Sequence, residues 1–493
     1  MTPSEKRYFK MHFALQRNAL TILYDCLNEM EEYDENELKK KLPENITNKL
    51  KVYKVRLYER VLKSLTTFNA KKNIQSKIRL GLEEVDILMA KKLYDVAADH
   101  LHKLKKMAET YEEFTYLIDI AYLEYRLMNI FMDRVGISKQ PLFADMGYYL
   151  EKLDQQVHFS QLAHQSIDFQ KANYYKQLEP AQRKWLMTIL EEKVPQLTGD
   201  GASFKAKISR NIILAVIYQF QKEKELEFKT RKKNVELFNQ FPQFKESLTF
   251  HYLAVLRNYM NYCLNHEKFD EVRGVVAEAK QFIQKQTPQE EPQLIYFYYA
   301  ELAMLYEKGQ FKQIIDNYSQ MIERFTKRHH IIGQRISVIT FIYIILAELF
   351  EDDHPKAQYF LRIINKANEE VKEYFQEFLI LLDLISHYEA RDTHSLNRQL
   401  QQLKRKYDIP ERPDTFFLSM INWIDRLNKY PEQKAIIAME MKLECNQKFA
   451  GDKSMDSFKH YHLDTWCSAL INETSLKRQV LQYVINKSPS YNY

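Results

Sequence analysis

The sequence predicts an all-α protein, a superhelix of stacked helical hairpins, on three observations. The 493 residues include only 9 glycines and 13 prolines, far below ordinary usage. These two residues punctuate turns and strands, so their scarcity predicts long elements with few tight turns. No run alternates apolar and polar residues between turn signals, as a half-buried strand would. Apolar residues instead recur at helical spacing in paired segments, repeating about every 40 residues.

Four such pairs follow one another, over residues 251–283, 296–325, 339–368 and 375–406. Their internal breaks fall at Phe269, Phe311, Pro355 and Thr393, at intervals of 42, 44 and 38 residues. An early copy covers residues 82–109. A hairpin of this size cannot bury its apolar face alone, so its neighbours must complete the core. Loops are expected at TGDGAS near Gly199, at TPQEEPQ near Pro288 and at DIPERPD near Pro410. Ser203 is placed to cap the helix that follows the first of these.

The stretch YEKGQFKQIIDNY and the stretch NHEKFDEVRGVVAEA resemble the helix–turn–helix core of tetratricopeptide repeats. Gly309 and Phe311 stand where that family places a turn glycine and an aromatic, and Ala97 and Ala279 stand at two of its small-residue positions. Leu302, Ile314 and Met321 depart from the pattern, since the family has small residues there. The resemblance covers about half the chain and implies a right-handed superhelix with irregular hairpins. It gives an N-terminal helical region over 1–75, irregular hairpins over 76–240, tetratricopeptide-like repeats over 245–410 and a helical cap over 412–493. A second resemblance, to uncharacterised helical-repeat proteins of Bacteroidota, rests on SEKRYFK (4–10), YDENELKKKL (33–42) and KVRLYERVLKSL (54–65). It implies a lineage and no activity.

Charge is unevenly spread. Residues 48–79 hold ten Lys and Arg and one acid, Glu59, a net +9, while the whole chain carries +6. As a helix, this stretch gathers Leu50, Leu57, Val61, Leu65 and Phe68 on one side. Lys49, Arg56, Arg60 and Lys63 form a separate stripe roughly 21 Å long, and Lys71 and Lys72 extend it. The stripe suits an anionic partner, nucleic acid or ribosome among them. Alternatively it is a solvated face, or is covered by the acidic residues 31–37. The basic run FKTRKKN (228–234) follows the acidic EKELE (223–227), which predicts internal pairing at i,i+4.

Motifs for chemistry are missing. GDGASFKAK lacks the spacing of a phosphate loop, and neither HExxH nor GxSxG occurs. HYHLDTWC would put His460, Asp464 and Cys467 on one face of a continuous helix, without a convincing fourth metal ligand. Cys26, Cys263, Cys445 and Cys467 are scattered, as expected of reduced thiols in cytoplasm. The longest apolar stretch, residues 336–350, is too short to span a bilayer. The N-terminus has no apolar core of signal-peptide length.

Arg257, Asn261 and Asn265 share a face at i, i+4 and i+8. In tetratricopeptide arrays such a helix lines the concave groove, and a basic residue with an asparagine matches half of the family's carboxylate clamp. The other clamp sites fall on Ala300, Thr340 and Ile344, which cannot grip an anion. A peptide groove built from Arg257, Asn261, Asn265, Tyr299, Ala303 and Tyr306 is the expectation. The sequence therefore predicts a non-enzymatic cytoplasmic scaffold or adaptor for a peptide or protein, with no cofactor and no membrane insertion. The alternative is a nucleic-acid- or ribosome-associated factor that uses residues 49–79. An enzyme with a diffuse active site ranks third.

Overall fold

In the computed structural model every regular element among the described residues is a helix. The structure describes residues 1, 3–13, 18–30, 33–70, 73–131, 140–173, 178–193, 202–285, 293–326, 335–364, 369–408, 413–449 and 453–487. None of these helices is long and apolar enough to cross a membrane. The chain divides into two units, Met1–Val255 and Leu256–Tyr493.

The first unit opens with α1 (Pro3–Phe13), α2 (Ala19–Asn28), α3 (Glu35–Lys41), α4 (Glu44–Thr47) and α5 (Leu50–Asn69). Their shared core includes Phe9, Leu23, Leu38, Ile46, Leu50 and Leu57. Next come α6 (Ile74–Ala90), α7 (Tyr94–Thr110), α8 (Phe114–Phe131) and the long α9 (Gln140–Asn173). Each packs on the next. α10 (Pro180–Thr188) runs into a π turn, and α11 (Phe204–Gln221), α12 (Lys224–Gln240) and α13 (Gln243–Ser247) follow. The α11 start is capped twice. Ser203 Oγ accepts the Ala206 N–H at 3.2 Å, and the Glu112 carboxylate accepts the Phe204 N–H at 2.6 Å. On α12 the expected pairing is present: Glu225 with Lys229 at 3.5 Å and Glu227 with Arg231 at 2.8 Å.

The division between the units falls inside α14 (Thr249–Asn265). The second unit continues with α15 (Phe269–Lys285), α16 (Leu294–Glu307), α17 (Phe311–Thr326), α18 (Arg335–Phe350), α19 (His354–Ile364), α20 (Glu369–Glu389) and α21 (Thr393–Tyr407). It closes with α22 (Phe416–Lys429), α23 (Lys434–Lys448), α24 (Lys453–His460), α25 (Thr465–Ile471) and α26 (Leu476–Lys487). The second helices of the four expected pairs thus begin at Phe269, Phe311, His354 and Thr393. One continuous core runs from Leu302 on α16 to Val484 on α26. The apolar stretch of residues 336–350 forms α18 and is buried within it.

One device closes most of the hairpins. The three-residue turns after α6, α7, α14, α16, α18 and α20 each have a left-handed residue at their centre: Lys92, Glu112, Glu267, Gly309, Asp352 and Arg391. The next N–H reaches back to the carbonyl five residues earlier. The bonds are Leu93 to Leu88, Glu113 to Ala108, Lys268 to Cys263, Gln310 to Leu305, Asp353 to Glu348 and Asp392 to His387, all within 2.8–3.0 Å. This is the Schellman helix stop, which satisfies carbonyls that a helix end leaves bare. Only one of the six centres is glycine, so the scarcity of glycine does not mean a scarcity of tight turns. For an L-residue the left-handed conformation costs roughly 1–2 kcal/mol.

Two outcomes follow for stability. Lys92→Gly should stabilise by about 0.5–1 kcal/mol, and Gly309→Ala should destabilise by about 1–2 kcal/mol. A Cβ at Gly309 would also stand 2.6 Å from Leu481 Cδ2. Urea titrations of both variants check the signs. A third outcome concerns Asp425 on α22, held by Lys404 at 2.7 Å and Lys429 at 2.9 Å. Burial opposes its charge, but the two lysines outweigh burial and hold the carboxyl below its ordinary 3.8. A lowered acid stabilises the fold above its unfolded pKa and loses that contribution as pH falls. Asp425→Asn should therefore cost about 1 kcal/mol at neutral pH, a difference that closes on titration below pH 3.8.

Candidate functional site

Two faces carry the residues expected to bind. The first lies on α14 and α16. Asn261 and Asn265 are exposed, and Arg257 is partly so. The Arg257 guanidinium lies 4.4 Å from the centre of the Tyr296 ring. That contact fixes a long side chain while leaving its N–H groups available, because cation–π stacking uses the ring face. Tyr296 was not singled out in the sequence; its signal is its place three residues before Tyr299, one helical turn away. Tyr299 is half-buried, and this burial pushes its hydroxyl pKa up.

Ala303 and Tyr306 do not line an open face. Ala303 is 4% exposed and Tyr306 is 0% exposed. Tyr306 donates its hydroxyl to the Tyr461 carbonyl at 2.7 Å. Its ring packs against Phe311, Tyr343, Phe350 and His462. The physical reason is that α16 meets α15, α17 and α18, so its later turns are surrounded. The face that remains is centred on α14 and the first turns of α16.

The second face is α5. It forms the expected helix, with Leu50 and Leu57 buried and Val61 packed against the core of the first five helices. Lys49, Arg56 and Lys63 are exposed, and Arg60 is partly exposed. Lys71 and Lys72 lie outside the described residues. The acidic segment does approach α5, but at a different point. Glu35 pairs with Lys54 at 2.6 Å and with Lys39 at 2.9 Å, Glu37 pairs with Lys41 at 2.7 Å, and Asp34 caps α3. No described carboxylate pairs with Lys49, Arg56, Arg60 or Lys63.

The turn at 461–464 interrupts the helix on which His460, Asp464 and Cys467 would share a face. His460 is exposed, whereas His462 is buried against Tyr306. Among the described residues no three His, Cys, Asp or Glu side chains are grouped to hold a metal ion. Burial pushes the Cys445 thiol up to about 12 and that of Cys467 higher still, away from nucleophilic thiolates. A cavity of about 270 Å³ between α20 and α21 is lined by Leu379, Asp383, Gln399 and Leu403. Its carboxylate, Asp383, already accepts the Gln399 amide at 2.7 Å.

Tyr306→Phe tests the core role of the hydroxyl. It should cost about 1–3 kcal/mol, because the buried Tyr461 carbonyl loses its donor. Thermal unfolding of the variant beside the unsubstituted chain measures that cost. Comparison with known proteins adds no relative: no protein-family model, no curated protein and no solved structure matches the chain.

Proposed function

We propose that the chain is a non-enzymatic cytoplasmic scaffold or adaptor, a tetratricopeptide-like array that holds a peptide or protein segment against α14 and the start of α16. The observation that carries this reading is the solvent-facing row Arg257, Asn261 and Asn265, with Arg257 braced on Tyr296. Two asparagines at a helical repeat offer both donors and acceptors, as an extended peptide backbone requires. The guanidinium offers a fork for a carboxylate. The six three-residue Schellman turns and the near-40-residue spacing support the repeat reading and its right-handed superhelix. The four free thiols suit a reducing compartment, which supports the cytoplasmic placement.

A second reading, nucleic acid or ribosome association through residues 49–79, draws on Lys49, Arg56, Arg60 and Lys63, which pair with no described carboxylate. The apolar side chains exposed beside them fit it less well.

The test is selection of binders from a random peptide display library on the purified chain, with affinities then measured by anisotropy. Arg257→Ala with Asn261→Ala should weaken the selected peptides at least tenfold and leave the melting curve unchanged. Enrichment of no peptide, or equal affinity for the double variant, would refute the α14 face as the site.

A further inference from the structure

We propose that the outward face of α5 is a docking seam for an acidic amphipathic helix of a partner protein. The residues are other than those of the α14 face, and the inference does not depend on that reading.

The buried side of α5 is defined by Leu50, Leu57 and Ser64. On the opposite side Val52, Val55 and Leu62 stand 48%, 54% and 49% exposed. Three large aliphatic side chains left half in water on one helix face make an apolar stripe that no described residue covers. Their spacing is informative. Val52, Val55, Glu59, Leu62 and Thr66 follow one another at intervals of three, four, three and four residues. That is the a and d seam of a coiled coil, which one partner helix can fill at a crossing angle of about 20°.

The flanks choose the partner. Lys49, Arg56 and Lys63 recur every seven residues along one edge of the seam, at its e positions. They are exposed and unpaired with any described carboxylate. At 1.5 Å per residue Arg56 and Lys63 stand about 10.5 Å apart, one heptad, and Lys49 is the residue at the start of the helix one heptad before Arg56. A partner helix with acidic residues along its facing edge would meet all three. Residues at such positions set partner choice in helix pairs. Glu59, the one acid within the seam, asks for a basic or amide residue opposite.

Other occupants fit less well. A second copy pairing through α5 would oppose Glu59 to Glu59 in parallel, or the Lys49, Arg56 and Lys63 row to itself in antiparallel. A bilayer would have to take Glu59 inward with the valines, at a cost. A nucleic acid would neutralise the cations but leave Val52, Val55 and Leu62 uncovered.

The test uses two synthetic three-heptad peptides and the full chain. Both have leucine at a and d with lysine at the middle a position. One has glutamate at e and g, the other lysine. Anisotropy should show the glutamate peptide binding at least tenfold more tightly than the lysine peptide. Lys49→Glu, Arg56→Glu and Lys63→Glu together should reverse that preference. Val55→Asp with Leu62→Asp should abolish binding of both peptides, and circular dichroism confirms that each exposed-site variant stays folded. No binding, or a preference that the charge reversal leaves unchanged, would overturn the proposal. So would duplex DNA or phosphatidylserine vesicles that bind more tightly than the glutamate peptide and ignore Val55→Asp with Leu62→Asp. Sedimentation that finds a dimer dissolved by the two aspartates would overturn it as well, by assigning the seam to a second copy.

Discussion

The fold depends on how each helix is stopped. A chain built almost wholly of helices must reverse direction repeatedly, and every reversal bares carbonyls at one helix end. Here a single left-handed residue turns the backbone, and two hydrogen bonds back into the finished helix satisfy what is bared. Six turns are closed in this way with a three-residue connector. A fixed connector length sets where the second helix begins, and so which of its faces meets the first. The near-regular spacing of the hairpins follows from this stop together with helices of similar length.

Packing then supplies what one hairpin lacks. In the second unit the core passes from α16 through α18 and α20 to α22 and α26 without interruption. Tyr306 shows how tightly the parts are joined. It is buried among four rings, and its hydroxyl reaches the turn at Tyr461, 155 residues further along. A hydroxyl buried that deeply must be satisfied, so the ring also fixes the 461–464 turn in place. Phe311, at the start of α17, meets the same ring. Residues that a family resemblance would assign to a groove can therefore be the keystones of the core.

The helices were legible because their breaks are polar and short between periodic runs: Phe269, Phe311 and Thr393 begin helices where the pattern places them. Ser203 was legible because an N-cap is a local event with its own residue type. Three things were not. The left-handed centres at Lys92, Glu112, Glu267, Asp352 and Arg391 carry residue types that do not announce a turn. The burial of Ala303 and Tyr306 was hidden because α16 is apolar on nearly every side, so spacing alone cannot say which side faces water. The outward face of α5 was illegible for a related reason. Once Leu50 and Leu57 account for the inner face, Val52, Val55 and Leu62 look like helix fillers until their exposure is seen. The His460, Asp464 and Cys467 alignment assumed a continuous helix, and the left-handed His462 breaks it.

The most direct measurement of the central claim, that helices stopped by left-handed turns build the consecutive hairpins, is hydrogen exchange resolved to single amides across the connectors. The amides of Leu93, Glu113, Lys268, Gln310, Asp353 and Asp392 donate to the preceding helix and should be protected. Those in the first turn of the next helix, such as Asp95 and Val96, have no such acceptor and should exchange quickly. Fast exchange at all six donor positions, matching the first-turn amides, would contradict the account and leave the spacing of the hairpins without its cause.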